Sequence, residues 1–332
     1  MTARGVSLFA HLTDECATLP PASADNMARV LGRLAEAAVA IQLELAHAPL
    51  LDRLGETGAR NFTGDAVKKL DEWGHDMVVA AIDASGACAA LISEEAEQPV
   101  EFPVPQGLVV CCDPVDGSSN LDVGGAVGTI FGVRPSRGIT PAGRAALGPG
   151  RDQLAAGYVL YGPTTLFVYT VGRGVHGFTL DRNKKEFLLT HPDLRVPKRG
   201  KIYGINEGNV HTWHPGQRAF VEYLRTPDKA SGRPYSLRYS GAMVADVHRV
   251  LHDGGIFMYP ADVSDPARPK PKLRLLYEVA PIAFVAEQAG GRASTGKEPV
   301  LDLVARDYHE RAAILVGSPD DVTLAEQCYA RG

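Results

Sequence analysis

The chain has 332 residues, of which 45% are hydrophobic and 22% are charged, with a formal net charge of -5. This length and composition allow a substantial core in one large domain or two smaller ones. The negative net charge argues against nucleic-acid binding over a broad surface, so any anion must be bound locally. No apolar run is long enough to span a bilayer, and residues 1–26 lack a cationic segment followed by a long apolar one. These features predict a cytoplasmic protein that does not bind membranes.

The predicted elements begin with an amphipathic helix over residues 26–48, where apolar residues recur at helical spacing. A second helix is predicted with its N-cap at or near Asp71 and its end before Gly86. The apolar runs "ACAALI" and "GLVVCC" follow, and they are typical of strands covered on both faces. Further strands are predicted at "GTIFGV", "AAGYVLYG", "TLFVYTVG" and "GVHGFTLD".

After about residue 197 the pattern alternates between helix and strand, and it ends in "LRLLYEVAPIAFVAEQAGG" and "AAILVGS". We place a domain boundary near residue 195. The prediction is an N-terminal α+β domain over residues 1–195 and a C-terminal α/β domain over residues 196–332. The whole chain is therefore expected to be a mixed α/β (α+β) protein.

Acidic residues follow two of the predicted strands. Glu94 and Glu95 come after "AALIS", and Asp113 and Asp116 come after "LVVCC". If the two strands are parallel neighbours, all four acids lie at one edge of the sheet, where α/β proteins usually place their sites. Close carboxylates repel one another unless cations lie between them. An all-oxygen cluster suits a hard divalent ion, magnesium or manganese.

The segment "DPVDGSSN" contains Asp113 and Asp116 and continues into a predicted turn. The carbonyl of Val115 can add a metal ligand, and Gly117 permits a sharp turn. The N–H groups of Gly117, Ser118 and Ser119 can open a helix whose positive end faces an anion. The alternative is an ordinary tight connection, because Asp-Pro and Asp-Gly are common turn signals. The joint occurrence of this turn with "SEE" after two buried strands favours a site.

Several segments between about residue 60 and residue 318 carry a family resemblance, in the order "GDAVKKLD", "LISEE", "DPVDGSSNLDVGGAVGTIFGV", "INEGN", "YSGAMVADVHRVLHDGGIFMYP" and "KLRLLYEVAPIAFVAEQAGG". Together they resemble the signature blocks of class I fructose-1,6-bisphosphatases. The resemblance implies an α/β/α/β/α sandwich with mixed sheets. It also implies hydrolysis of the 1-phosphate of fructose 1,6-bisphosphate, in gluconeogenesis or the Calvin cycle. Two or three Mg²⁺ ions per subunit are implied as cofactors, with Mn²⁺ as an alternative.

The same resemblance implies roles for individual acids. The metal ligands would be Glu94, Asp113, Val115 through its carbonyl, Asp116 and Glu278. Glu95 and Asp71 would position and deprotonate the attacking water, with Asp65 as a further acid linked to that pair. Independently of the resemblance, Pro281 fits only the first turn of a helix, so Glu278 is expected at the N-terminal edge of that helix.

The resemblance also implies how a sugar bisphosphate would bind. The phosphate released by cleavage would rest on Gly117, Ser118 and Ser119. The sugar and the far phosphate would contact Asn206, Arg238, Tyr239, Gly241, Met243, Tyr259, Lys272 and Arg274. Lys272 and Arg274 alternate with leucines in "KLRLL", so they should project from one face of an extended segment. Arg238 would come from a neighbouring subunit of a homotetramer.

Other functions stay open at this stage. Sedoheptulose-1,7-bisphosphatase activity, alone or together with the first activity, fits the same residues. Inositol monophosphatases typically carry a Trp-Asp pair where this chain has "LLYEVAP", so that activity is less favoured. A non-catalytic sugar-phosphate sensor is disfavoured because Asp71, Glu94, Glu95, Asp113, Asp116 and Glu278 are all intact.

Overall fold

The computed structural model describes residues 5–51, 54–60, 66–139 and 141–332. Within these residues the chain forms seven α-helices and fifteen strands. The helices are α1 (Leu8–Cys16), α2 (Pro21–His47), α3 (Lys69–Ser85), α4 (Pro215–Arg225), α5 (Met243–Asp253), α6 (Ala280–Gln288) and α7 (Pro319–Arg331). The strands are β1 (Glu56–Arg60), β2 (Ala66–Lys68), β3 (Cys88–Ser93), β4 (Val100–Glu101), β5 (Leu108–Asp116), β6 (Val127–Pro135), β7 (Ala155–Tyr161), β8 (Thr165–Thr170), β9 (His176–Asp181), β10 (Glu186–His191), β11 (Ile202–Gly204), β12 (Ser236–Leu237), β13 (Ile256–Tyr259), β14 (Arg292–Ser294) and β15 (Ile314–Gly317).

Two mixed sheets organise the fold, and a short hairpin of β1 and β2 precedes them. The first sheet has eight strands in the order β10-β9-β8-β7-β6-β5-β3-β4, and the second has five in the order β12-β11-β13-β15-β14. In the eight-stranded sheet β3 and β5 are parallel, and the other neighbours are antiparallel. The predicted boundary near residue 195 falls between the last strand of the first sheet and β11, and it stays a prediction.

Helices cover both faces of each sheet, so the helices and sheets together form five layers. Helices α1, α2 and α3 pack on one face of the eight-stranded sheet, around residues such as Leu31 and Phe131. Helices α5 and α6 lie between the two sheets, where Val244 and Ile282 share a core with Ile130. Helices α4 and α7 cover the outer face of the five-stranded sheet. The expected α/β/α/β/α sandwich is confirmed.

The predicted helices are present, with corrected starts. Helix α2 begins at Pro21, before the predicted residue 26, because proline is tolerated in the first helical turn. Helix α3 has Lys68 as its N-cap, so the prediction of a cap at or near Asp71 was wrong by three residues. Asp71 instead accepts a hydrogen bond from the Lys68 N–H at 3.1 Å. Across the described residues, no helix is both long and apolar enough to cross a lipid bilayer.

Candidate active site

The ends of β3 and β5 bring the first group of acids together. The strands run in parallel with Ser93 opposite Cys112, and the Glu94 N–H donates to the Cys112 carbonyl at 3.1 Å. Glu94 and Glu95 therefore leave one strand beside Asp113 in the next. This is the parallel neighbour arrangement expected from the two apolar runs, and it places the acids at one sheet edge.

An irregularity in β5 directs Asp113 and Asp116 into the site. The pairing of β5 with β6 shifts register between these two residues, as in a β-bulge, which re-aims side chains. The Val115 N–H donates to Asp113 Oδ1 at 3.0 Å, and the Thr129 hydroxyl donates to the Pro114 carbonyl at 2.7 Å. The "DPVD" segment is therefore held by one hydrogen bond within itself and one from β6, so it is more ordered than a simple turn.

Asp116 also links the sheet edge to helix α5. Its Oδ1 accepts from the Met243 N–H at 3.2 Å, and its Oδ2 accepts from the Val244 N–H at 2.8 Å. These are two of the N–H groups that have no partner inside the helix. Asp116 thereby caps the helix whose first residue, Met243, lines the cavity described below.

Glu278 reaches the same place from a distant part of the chain. A π-helical turn, Leu275–Val279, carries it directly before α6, and Pro281 lies in the first turn of α6 as predicted. Glu278 Oε2 accepts from the Arg274 N–H at 2.6 Å. Asp113, Asp116 and Glu278 each offer one oxygen, and the three oxygens lie within 4.8 Å of one another. We call these three residues and Glu94 the carboxylate cluster.

Asp71 faces the cluster from the first turn of α3. Its side chain is buried, and its Oδ1 has no hydrogen-bond partner among the described residues. Burial raises the pKa of Asp71 to about 6, although the Lys68 N–H opposes the shift. A buried carboxylate oxygen without a partner is costly unless a water molecule or a cation satisfies it.

One cavity of about 450 Å³ collects these groups and most of the predicted substrate-binding residues. Its walls include Asp71, Glu95, Val115 and the carboxylate cluster. They also include Gly117, Ser118, Ser119, Asn206, Tyr239, Gly241, Met243, Tyr259, Lys272 and Arg274. Arg238 is exposed and does not line this cavity, and Asp65 lies outside the described residues. Lys272 and Arg274 supply positive charge to this cavity.

Four further residues line the cavity and were not predicted from the sequence, namely Asp246, Phe257, Leu273 and Arg311. Asp246 accepts from the Ser240 N–H at 2.8 Å and so holds the loop that carries Tyr239. An acid in a first helical turn is common, so its position gave no signal. Arg311 lies opposite Arg274 in an isolated antiparallel bridge, and only the tertiary structure reveals this pairing.

His309 supports the site and was also missed. Its Nε2 lies 3.1 Å from the Glu97 carbonyl, and its Nδ1 lies 3.0 Å from the Tyr277 hydroxyl. Because a carbonyl can only accept, Nε2 carries the proton and the tyrosine donates to Nδ1. His309 thus ties the loop after Glu95 to the turn that carries Glu278.

Glycine at position 117 is required by the turn. Gly117 has φ +76°, and a Cβ at this position would lie 2.5 Å from the Cβ of Ala242, just before α5. We expect Gly117→Ala to lower the free energy of unfolding by more than the roughly 1–2 kcal/mol of left-handed strain alone, and to reduce activity. Gly124→Ala is the matched control, because Gly124 has φ +66° and open space around it. Equal losses in urea unfolding for both variants would contradict this account.

Comparison with known proteins identifies the family. Residues 12–192 match the model of the fructose-1,6-bisphosphatase N-terminal domain, and residues 196–330 match the model of the C-terminal domain. The chain belongs to the fructose-1,6-bisphosphatase family. The class 1 fructose-1,6-bisphosphatase of Nitratidesulfovibrio vulgaris is 45% identical over 321 residues, which is 94% of each chain. That of Nostoc punctiforme is 42% identical over 98% of this chain and 93% of its own.

A solved structure supports the same assignment. The holo form of Leishmania major fructose-1,6-bisphosphatase superimposes with a TM-score of 0.90 at 34% identity, covering 98% of this chain and 99% of its own. Membership in the fructose-1,6-bisphosphatase family implies a sugar bisphosphate substrate and a dependence on divalent metal.

The electrostatics of this fructose-1,6-bisphosphatase site fit a divalent cation. Burial raises the pKa of Asp113 well above its usual range, and the nearby Glu94, Asp116 and Glu278 raise it further. Burial also raises the pKa of Glu278 well above its usual range, and the nearby Glu94 raises it further. The pKa of Glu94 rises to about 7 by burial, although Arg274 opposes the shift, and that of Asp116 rises to about 6 by burial. Bound divalent cations would relieve this repulsion, and the donors are all oxygen, as hard cations prefer.

These shifts predict a pH-dependent effect of metal on stability. Between about pH 4 and pH 7 the folded, chelated chain binds more protons than the unfolded chain, so this contribution to its stability falls as pH rises. A divalent cation bound to the deprotonated cluster would remove this electrostatic cost. We expect the Mg²⁺-induced rise in Tm to be larger at pH 8 than at pH 5.5, measured by calorimetry against a chelated sample. A rise of the same size at both pH values would contradict the raised pKa values.

Proposed function

We propose that this chain hydrolyses the 1-phosphate of fructose 1,6-bisphosphate in a Mg²⁺-dependent reaction that releases fructose 6-phosphate and phosphate. The observation that carries the proposal is one cavity that is lined both by the carboxylate cluster and by the cationic residues Lys272 and Arg274. A metal-activated cleavage centre and cationic side chains in the same cavity suit a substrate with two phosphates. The names of the relatives and of the similar structure point to the same reaction.

Glu94, Asp113, Asp116 and Glu278, with the carbonyl of Val115, would hold two or three Mg²⁺ ions. The proximity of the Asp113, Asp116 and Glu278 oxygens supports this assignment. The raised pKa values of Glu94, Asp113 and Glu278 also support it. When bound, such ions lower the pKa of a coordinated water and neutralise charge on the transferred phosphoryl group. The all-oxygen donor set favours Mg²⁺, with Mn²⁺ as an alternative, over softer metals.

Glu95 and Asp71 would orient the attacking water and accept its proton. A general base typically contributes about 10²–10⁴-fold, and it works best when its pKa lies near the operating pH. The raised pKa of Asp71, about 6, and its unpartnered Oδ1 support this role. The water would attack phosphorus in line with the leaving sugar oxygen. The N–H groups of Gly117, Ser118 and Ser119 would hold the released phosphate.

The sugar and its second phosphate would occupy the opposite end of the cavity. Gly241 and Met243 would line the sugar, and Asn206, Tyr239, Tyr259 and Lys272 would bind the 6-phosphate. Arg274 is buried, and its backbone N–H donates to Glu278 Oε2. Its guanidinium would balance charge between the carboxylate cluster and the substrate.

Arg238 would act on the active site of a neighbouring chain in a homotetramer. It is exposed, it lies beside Tyr239, and it is absent from the walls of its own cavity. We expect Arg238→Ala and Asp113→Asn chains, each weakly active alone, to gain activity when they are unfolded and refolded together. Mixed oligomers would then combine an intact metal site with an arginine from the partner. Activity equal to the average of the separate samples would contradict the shared site.

The function is tested by phosphate release from fructose 1,6-bisphosphate, sedoheptulose 1,7-bisphosphate and inositol 1-phosphate, each with Mg²⁺ and with a chelator. We expect rapid, Mg²⁺-dependent release from fructose 1,6-bisphosphate and little from the inositol phosphate. Hydrolysis of none of the three would refute the enzyme assignment. Faster hydrolysis of sedoheptulose 1,7-bisphosphate would change the assigned activity to sedoheptulose-1,7-bisphosphatase.

A further inference from the structure

A second group of metal-binding side chains lies outside the active-site cavity. His11 and Glu15 are on α1, and His176 is the first residue of β9. One ligand atom from each of the three lies within 4.8 Å of the other two. None of these residues lines the cavity that holds the carboxylate cluster.

Helix α1 fixes the orientation of two of these groups. Leu8, Leu12 and Cys16 are buried and anchor the helix on the core. His11 and Glu15 are four residues apart and therefore lie on one side of the helix. The ring of His11 lies 4.6 Å from the ring of His176, centroid to centroid. The three side chains are half-buried, so an ion from solvent can reach them.

The imidazoles of His11 and His176 are neutral at neutral pH, as metal ligands must be. Burial lowers the pKa of His11 to about 4, with a smaller contribution from His176, and burial also lowers the pKa of His176. At neutral pH each ring therefore has a nitrogen lone pair, as metal coordination requires.

Tyr169 forms a hydrogen bond with one ring nitrogen of His11. Its hydroxyl lies 2.6 Å from His11 Nδ1, and the tyrosine is buried in the sheet. If Nδ1–H donates to this oxygen, the Nε2 lone pair of His11 is free to bind an ion. Histidine ligands in proteins almost always donate their second ring N–H in this way.

We propose that His11, Glu15 and His176 bind one Zn²⁺ ion per chain. Two imidazole nitrogens and one carboxylate oxygen form a common zinc donor set, whereas the carboxylate cluster offers oxygen alone. Zinc bonds of about 2.0–2.2 Å put tetrahedral ligand atoms about 3.3–3.6 Å apart. The three atoms lie within 4.8 Å of one another, so they must approach by up to about 1.5 Å, which side-chain rotation can supply. Water would complete the tetrahedral coordination.

The site would fasten the first helix to the eight-stranded sheet. His176 accepts from the Asp193 N–H at 3.2 Å and is near the Arg173 carbonyl, so coordination must replace one of these backbone contacts. In return, the ion would join α1 to β9, two elements far apart in the chain. A ligand that binds only the folded chain stabilises it by mass action.

The test is zinc binding by the full-length chain in saturating Mg²⁺, measured by competition with a chromophoric zinc chelator. We expect the wild-type chain to bind one more zinc than His11→Gln or His176→Gln, and to show a zinc-dependent rise in Tm that both variants lack. His47→Gln, on the exposed end of α2, is the matched control and should behave as wild type.

Tyr169→Phe separates coordination from simple packing of the rings. It should keep the zinc stoichiometry and bind the ion about 10–100-fold more weakly. Magnesium-dependent turnover of each variant confirms that it is folded. The proposal is overturned if wild type, His11→Gln and His176→Gln bind the same number of zinc ions, or if Tyr169→Phe leaves the affinity unchanged.

Discussion

Asp116→Asn is expected to lower kcat/KM for fructose 1,6-bisphosphate by more than about 100-fold while the chain stays folded. Loss of a residue that only hydrogen-bonds a metal ligand already lowers metal affinity or activity by about 10–100-fold. Asp116 would be a ligand itself. The fold should survive because an amide oxygen can still accept one of the two N–H bonds from α5. Loss of the other bond costs about 1 kcal/mol, and loss of a crowded charge offsets part of it.

The matched control is Asp246→Asn. Asp246 is also buried, lies in α5, which Asp116 caps, and also accepts a backbone N–H bond. It is outside the group of close carboxylate oxygens. The Mg²⁺ concentration for half-maximal activity should rise sharply in Asp116→Asn and stay near wild type in Asp246→Asn. A tenth or more of wild-type activity in Asp116→Asn would contradict the metal role assigned to it.

Lys272→Met is expected to lower kcat/KM for fructose 1,6-bisphosphate by about 10–100-fold, chiefly through KM. A hydrogen bond to a charged group contributes about 1.5–3 kcal/mol. Lys272 lines the cavity without belonging to the carboxylate cluster. With fructose 1-phosphate, which lacks the second phosphate, the loss should be several times smaller. This difference between substrates separates recognition of the far phosphate from a general loss of charge.

Lys297→Met provides the control for net charge, because Lys297 is exposed and does not line the cavity. It should leave KM for both substrates unchanged. Equal losses with fructose 1,6-bisphosphate and fructose 1-phosphate in Lys272→Met would show that Lys272 does not recognise the second phosphate.

Three of the four members of the carboxylate cluster could be placed at one sheet edge from local sequence. The apolar runs before Glu94 and Asp113 mark buried strands, and acids directly after two such strands meet when the strands are parallel neighbours. Proline and glycine within "DPVDG" indicated a turn, but the bulge that aims Asp116 at α5 depends on pairing with β6. Periodicity carries no information about such long-range contacts.

The rest of the site required tertiary structure or family resemblance. Pro281 placed Glu278 at a helix edge, yet nothing local indicates that this edge meets β5. The π-helical turn before α6 has no sequence signal of its own. Arg311 and His309 reach the site through a bridge and a hydrogen bond between distant segments. Helix α1 was not predicted, because its nine residues give too few turns for a clear apolar period.

The most direct test of the proposed chemistry is product analysis during turnover of fructose 1,6-bisphosphate by the purified chain. The account predicts one fructose 6-phosphate for each phosphate released, no reaction in a chelator, and recovery of the rate when Mg²⁺ is restored. Formation of fructose 1-phosphate, or a full rate in the chelator, would contradict the assignment of the carboxylate cluster as the metal-dependent centre that cleaves the 1-phosphate.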